Sequence, residues 1–176
     1  SSSVKGAGPG GGASQASAGG MGGSHGGDGG KTDCNCRIAP AYDSLVYPVR
    51  LGSGGGAYDS SAHHGGMGGG AVQFHAGDTV EMNGTVNASG ISIPSWATAG
   101  GSGSGGAILI NASTIKGNGK LEANGGNKGS YSTAGGAAGG RIALRYRVSN
   151  QYVGVFEVGA GVSGTSGTPG PMNGTV

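Results

Sequence analysis

Four asparagines stand in the acceptor pattern for N-linked glycans: Asn83-Gly84-Thr85, Asn87-Ala88-Ser89, Asn111-Ala112-Ser113 and Asn173-Gly174-Thr175. None has proline in the middle position, so each is a candidate glycosylation site in a eukaryotic secretory pathway. Asparagine also tolerates left-handed turn geometry and forms stacked ladders, so the same four residues have a purely structural reading. Cys34 and Cys36 are the only cysteines and are the disulfide candidates. A bridge between them is strained, because strand residues two apart place their Cα atoms near the limit of disulfide reach. Bonding to a partner chain, or to another part of a longer precursor, in an oxidising compartment suits them better.

Two cysteines fall short of the four ligands of a structural zinc site, and His25 and Asp33 complete no known zinc spacing. His25, His63 and His64 form a conceivable metal set. Histidine beside glycine more often fills space or bonds a backbone carbonyl, so no metal site is expected. The acids are Asp28, Asp33, Asp43, Asp59, Asp78, Glu81, Glu122 and Glu157, and no two recur on one strand face. No acid–base pair emerges for hydrolysis. Ser53 lacks the flanks of a nucleophile elbow. No glycine box follows a βαβ pattern that would cradle phosphate. The expectation is a non-enzyme without cofactors.

The elements that carry these residues come from an internal repeat. Residues 70–90 read GAVQFHAGDTVEMNGTVNASG and residues 106–125 read GAILINASTIKGNGKLEANG. A third partial repeat begins at Gly139-Gly140-Arg141-Ile142, and a weaker one near Cys36-Arg37-Ile38. Within the repeats apolar residues alternate: Val72, Phe74 and Ala76; Ile108, Ile110 and Ala112; Ile142, Leu144 and Tyr146. Period two means strands, and Asn83-Gly84 and Asn118-Gly119 supply turns. A unit of about 35 residues cannot bury its own apolar face, whereas stacked units can cover one another. The expected fold class is all-β, a parallel β-helix or β-solenoid of ~35-residue repeats. Residues 1–176 would form one repeat-built domain, a piece of a longer chain or one unit of a polymer.

Composition limits the choices further. Glycine accounts for 46 of 176 residues, about a quarter of the chain, where roughly 7% is usual. Only 10% of residues are charged, and the net charge is +2 without a basic run. Nucleic acid is therefore not an expected partner. No apolar stretch approaches the roughly 18 residues of a membrane span. Double-glycine boxes precede the repeats, at 26–30, 65–69, 101–106 and 135–140. They suit either polyglycine-II strands, packed through missing side chains, or flexible loops. Their recurrence at one register favours ordered polyglycine-II.

Several segments resemble a family of large glycine-rich surface repeat proteins of plants, protists and bacteria. They are Ser24-His25-Gly26-Gly27-Asp28-Gly29-Gly30, the run from Tyr42 to Gly56, the Asn83-Gly84-Thr85-Val86 segment, the repeat from Gly105 to Gly126, and Gly139-Gly140-Arg141-Ile142-Ala143-Leu144. Thr32-Asp33-Cys34-Asn35-Cys36 departs from that pattern. The resemblance implies an extracellular or cell-surface structural or adhesive role and no chemistry. The combined expectation is a subunit of a glycosylated filament or coat, self-associating by axial stacking. In that arrangement the recurrence of Met82-Asn83-Gly84-Thr85-Val86 as Met172-Asn173-Gly174-Thr175-Val176 would continue the repeat across the joint. The alternative is a carbohydrate- or receptor-binding adhesin module on a polyglycine scaffold, with Tyr42, Tyr47, Tyr58, Trp96 and Tyr131 as contacts.

Overall fold

A computed structural model describes residues 4–14, 19–32, 37–58, 64–94, 99–129, 133–163 and 172–176. The alternating runs become strands: β1 (Ala71–His75), β2 (Thr79–Glu81), β3 (Thr85–Asn87), β4 (Ala107–Gly117), β5 (Lys120–Glu122), β6 (Arg141–Tyr152) and β7 (Val155–Glu157). They form two sheets, both parallel. In one, β4 lies between β6 on one side and β1 and β2 on the other. In the second, the order is β3-β5-β7. Val72 pairs with Ile108, and Ile108 with Ile142. Val86 pairs with Leu121, and Leu121 with Phe156. An extra residue in β6 shifts the register between Ala112 and Thr114.

The core lies where the apolar rows of both sheets meet. Ile108, Ile110, Ile115 and Leu121 are 0% exposed, and Ile142 is 1% exposed. They form one cluster with Ala88, Ala112, Ala123 and Tyr152, flanked by Phe74, Val80, Val86, Leu144 and Phe156. The Tyr152 hydroxyl donates to the Gly119 carbonyl at 2.7 Å, so its polar end is satisfied as its ring packs against Phe156 with centroids 5.2 Å apart.

The expected β-solenoid is not the architecture found. Strand makes up 28% of the described residues and helix none, in parallel sheets like those of α/β proteins, with no closed barrel. The described residues before Ala71 hold no strand, so Arg37-Ile38 does not start a repeat of the expected kind. The physical reason is that period-two alternation belongs only to segments with side chains. Parallel strands need long crossovers, usually helical. Here the described parts of those connections are glycine-rich and are neither strand nor helix.

These segments are nevertheless ordered by hydrogen bonds that change direction at each residue. Along 101–106, Gly101 and Ser104 donate to Gly56 and Ser53, Ser102 and Gly105 to Gly135 and Ala138, and Gly103 and Gly106 to Ile91 and Ala88. Each neighbour is met every third residue. One segment is thus bonded to three others, and buried backbone groups find partners without a sheet. The approach is too close for side chains: a Cβ on Gly101 would overlap the Met21 carbonyl, and one on Gly103 the Met67 carbonyl.

The expected consequence is that Gly101→Ala lowers stability by about 1–3 kcal/mol, the usual cost of overpacking, although alanine in open backbone is normally the more favourable residue. Denaturant unfolding checks this; a neutral or stabilising result would contradict the close packing.

Candidate functional site

Two features stand out: a buried polar knot that binds the glycine body to the strands, and the open edge of the first repeat. In the knot, His25 is 0% exposed. Its Nδ1 lies 2.8 Å from the Gly105 carbonyl oxygen and its Nε2 3.3 Å from Asp43 Oδ2. Asp43 adopts φ 73°, a left-handed conformation that aspartate tolerates better than most residues. There its carboxylate accepts from the N–H groups of Ser44, Val49 and Arg50 at 2.9, 2.9 and 3.0 Å. Tyr42 packs its ring on His25, with centroids 4.6 Å apart. Its hydroxyl donates to the Leu51 carbonyl at 2.5 Å and lies 2.8 Å from Ser53 Oγ. Arg141, at the start of β6, donates through Nε to the Tyr42 carbonyl at 2.9 Å.

The knot contains Ser, His and Asp but is not arranged for nucleophilic chemistry. Both ring nitrogens of His25 already face oxygens. The hydroxyls of Ser24 and Ser104 donate to backbone carbonyls, and Ser53 Oγ accepts from the Gly10 N–H. Burial pushes the His25 pKa below its ordinary value, against the Gly105 carbonyl and Asp43, which favour the charged ring. Burial raises the Asp43 pKa, but the backbone donors and His25 outweigh it and the net shift is downward.

The sequence-predicted sites are dispersed. Asn83 lies between β2 and β3, exposed; its Nδ2 donates to Glu81 at 2.9 Å, and its Oδ1 accepts from the Asn118 N–H at 3.3 Å. Asn87 ends β3, also exposed, and its Oδ1 accepts from the Ser89 N–H. Asn111 is half-buried in β4, in register between His75 and Arg145. Asn173 is exposed and accepts from the Ala160 N–H at 2.9 Å. The ladder reading of asparagine fits Asn83, whose Oδ1 reaches the next repeat, and also Asn124 and Asn127, which accept through Oδ1 from the Gly159 and Val162 N–H groups in the next repeat. Cys34, Cys36, His63, Trp96 and Tyr131 lie outside the described residues.

Of the proposed aromatic contacts, Tyr42 is held inside the knot. Tyr47 stacks near His75, with Arg145 5.1 Å from its ring centroid, pinning the strap around residue 47 to the sheet. Beside the strap, Val4, Pro9, Val49, Leu51 and Met67 line an open groove of about 710 Å³. Among the described residues, no group of three His, Cys, Asp or Glu side chains could hold a metal, and no helix is long and apolar enough to cross a membrane.

The feature that sequence reasoning missed is the asymmetry of the ends. Gly70 and Gly84 flank β1 and β3 on the first repeat, both exposed, and a Cβ on either would meet nothing within 4 Å. At the other end, Thr175 bridges to Arg141, and Ile142 donates to the Thr175 carbonyl. Thr175 therefore aligns with Arg141, Ala107 and Ala71, not with Thr85 as the recurring Met-Asn-Gly-Thr-Val suggested.

The knot makes stability pH-dependent. Unfolded histidine takes up a proton near pH 6.5, roughly, and folded His25 resists it, so stability is full above that pH and falls below it. Asp43 adds loss only at pH values below its ordinary value of 3.8. The melting temperature should fall between about pH 7.5 and 5.5, and His25→Gln should flatten that slope. A melting temperature that rises on acidification would overturn this.

No family model matches the chain, and no curated protein or solved structure matches it.

Proposed function

We propose that this chain is a structural, non-enzymatic subunit of an extracellular glycosylated filament or surface coat, in which molecules stack along the direction in which their own repeats stack. The observation that carries this reading is the in-register parallel stacking of repeats within one chain, ending in an edge at β1, β2 and β3 to which no other strand of the described residues pairs. Parallel edge strands present unpaired N–H and C=O groups, which are templates for further pairing. The repeat supplies the same apolar row each time, so a further layer would find the pattern that the inner layers already satisfy.

The other supports are consistent with a coat. Asn83 and Asn87, both exposed, would carry N-linked glycans away from the apolar rows. Glycans on that surface would limit lateral aggregation. The resemblance to glycine-rich surface repeat proteins points the same way. The adhesin alternative draws on the groove beside Leu51 and Met67. Its lining is mostly glycine and aliphatic side chains, with Lys5, Arg50 and His64 among them, and it holds no Tyr or Trp face for a sugar ring.

Negative-stain electron microscopy with sedimentation velocity on the purified full chain tests the proposal. Filaments whose length grows with protein concentration are expected. A chain that stays monomeric up to millimolar concentration, with or without its glycans, would overturn it.

A further inference from the structure

Arg147 sits where β6 leaves the register of β4. Tyr146 pairs with Ala112 and Ser149 with Thr114, so Arg147 and Val148 share the place opposite Ser113. A bulge of this kind re-aims a side chain. Here Arg147 turns back across β4 and donates through Nη2 to the Ser113 hydroxyl at 2.9 Å and to the Gly77 carbonyl at 3.0 Å. Its guanidinium thereby forms one wall of an open cavity of about 310 Å³, whose other walls are His75, Ala76, Gly77 and Asn111. The polar groups there have hydrogen-bonding capacity to spare. Among the described residues none bonds the Asn111 carboxamide, and the Nε and Nη1 donors of Arg147 are unused. One His75 ring nitrogen lies 3.2 Å from Gln73 Oε1, and the other meets no described residue. Arg145 follows Asn111 in the same row and donates to the Val46 carbonyl at 3.3 Å. Neither arginine forms an ion pair among the described residues. Asp78, the acid next along the chain from Gly77, takes the Thr79 hydroxyl at 3.4 Å instead.

We infer that this cavity binds an acidic sugar, a uronate or sulfated residue of a polysaccharide. The free edge of the Arg147 guanidinium takes the oxyanion, since its planar fork matches two oxygens at once. The Asn111 carboxamide both donates and accepts, as a sugar hydroxyl does, and the open His75 nitrogen serves a second hydroxyl. Arg145 adds a second permanent cation beside them. Charge alone would also attract an acidic peptide. However, β4 is bonded on both sides at the cavity floor, so an extended peptide finds no free ladder to join there. A glycan attached to Asn111 would fill the same space, so Asn111 acts here as a binding residue and not as a glycan acceptor. This goes beyond the coat reading and does not depend on stacking: it names what the surface would hold.

Isothermal titration of the full chain at low salt tests the site with four probes: a galacturonate trisaccharide, a sulfated disaccharide, a neutral galactose trisaccharide and tetraglutamate. One or both acidic sugars should bind, and the one that binds identifies the oxyanion. The neutral sugar and tetraglutamate should bind about tenfold more weakly or worse, the loss expected when a charge-assisted hydrogen bond or its companions are missing. Arg147→Gln should cost a similar factor, but it also removes the brace to Gly77. Asn111→Asp separates the two roles. It sets a carboxylate beside Arg145 and Arg147, so the melting temperature should hold or rise while affinity for the acidic sugar falls about tenfold or more. Absence of binding by both acidic sugars at millimolar concentration would overturn the site. So would equal binding of tetraglutamate or the neutral sugar, or undiminished affinity in Asn111→Asp.

Discussion

The structure depends on backbone meeting backbone without an intervening side chain. At Gly101, Gly103, Gly105 and Gly106 the Cβ position is occupied by a neighbour's main chain. Glycine loses roughly 0.5–1 kcal/mol relative to alanine through its extra freedom in the unfolded chain. Each buried hydrogen bond returns a net ~0.5–1.5 kcal/mol. Three neighbours per segment and a bond at nearly every residue tip this balance toward order in a chain with few large apolar side chains. The conventional core of Ile108, Ile110, Leu121 and Ile142 is small, and it lies beside the glycine body, not around it.

The polar knot solves the problem of attachment. A glycine body has no side chains with which to grip a sheet, so a few long-range polar contacts do that work. His25 reaches the Gly105 carbonyl across 80 residues, and Arg141 reaches the Tyr42 carbonyl across 99. Both act on backbone oxygens. Asp43 then gathers the N–H groups of Ser44, Val49 and Arg50 and so holds the exposed strap to the buried His25. In a chain with only 10% charged residues, a largely buried His–Asp–Arg set is costly unless each member is bonded, and here each is.

What could be read in the sequence follows from which residues have side chains. The alternation at Val72, Ile108 and Ile142 identified residues that the sheet places in one row, because burial on one face imposes period two. Asn83-Gly84 and Asn118-Gly119 do join strands, though they pass the chain from one sheet to the other and close no hairpin. The overall architecture was not legible. A glycine box shows its length but not its neighbours, and Met21, Gly56 and Gly101 meet through bonds that no pattern of side chains announces. The knot was equally hidden: His25 was readable only as a histidine suited to a carbonyl. Asp43 gave one faint signal, as an acid next to Ser44 where a turn-forming carboxylate cap would sit.

The spacing between row partners is not constant. It is 36 residues from Ala71 to Ala107, 34 from Ala107 to Arg141, and 35 from Thr114 to Ser149. The extra residue in β6 and the glycine connections absorb the differences without disturbing the rows. A duplicated unit would therefore add one inter-strand step, about 4.8 Å, to each row.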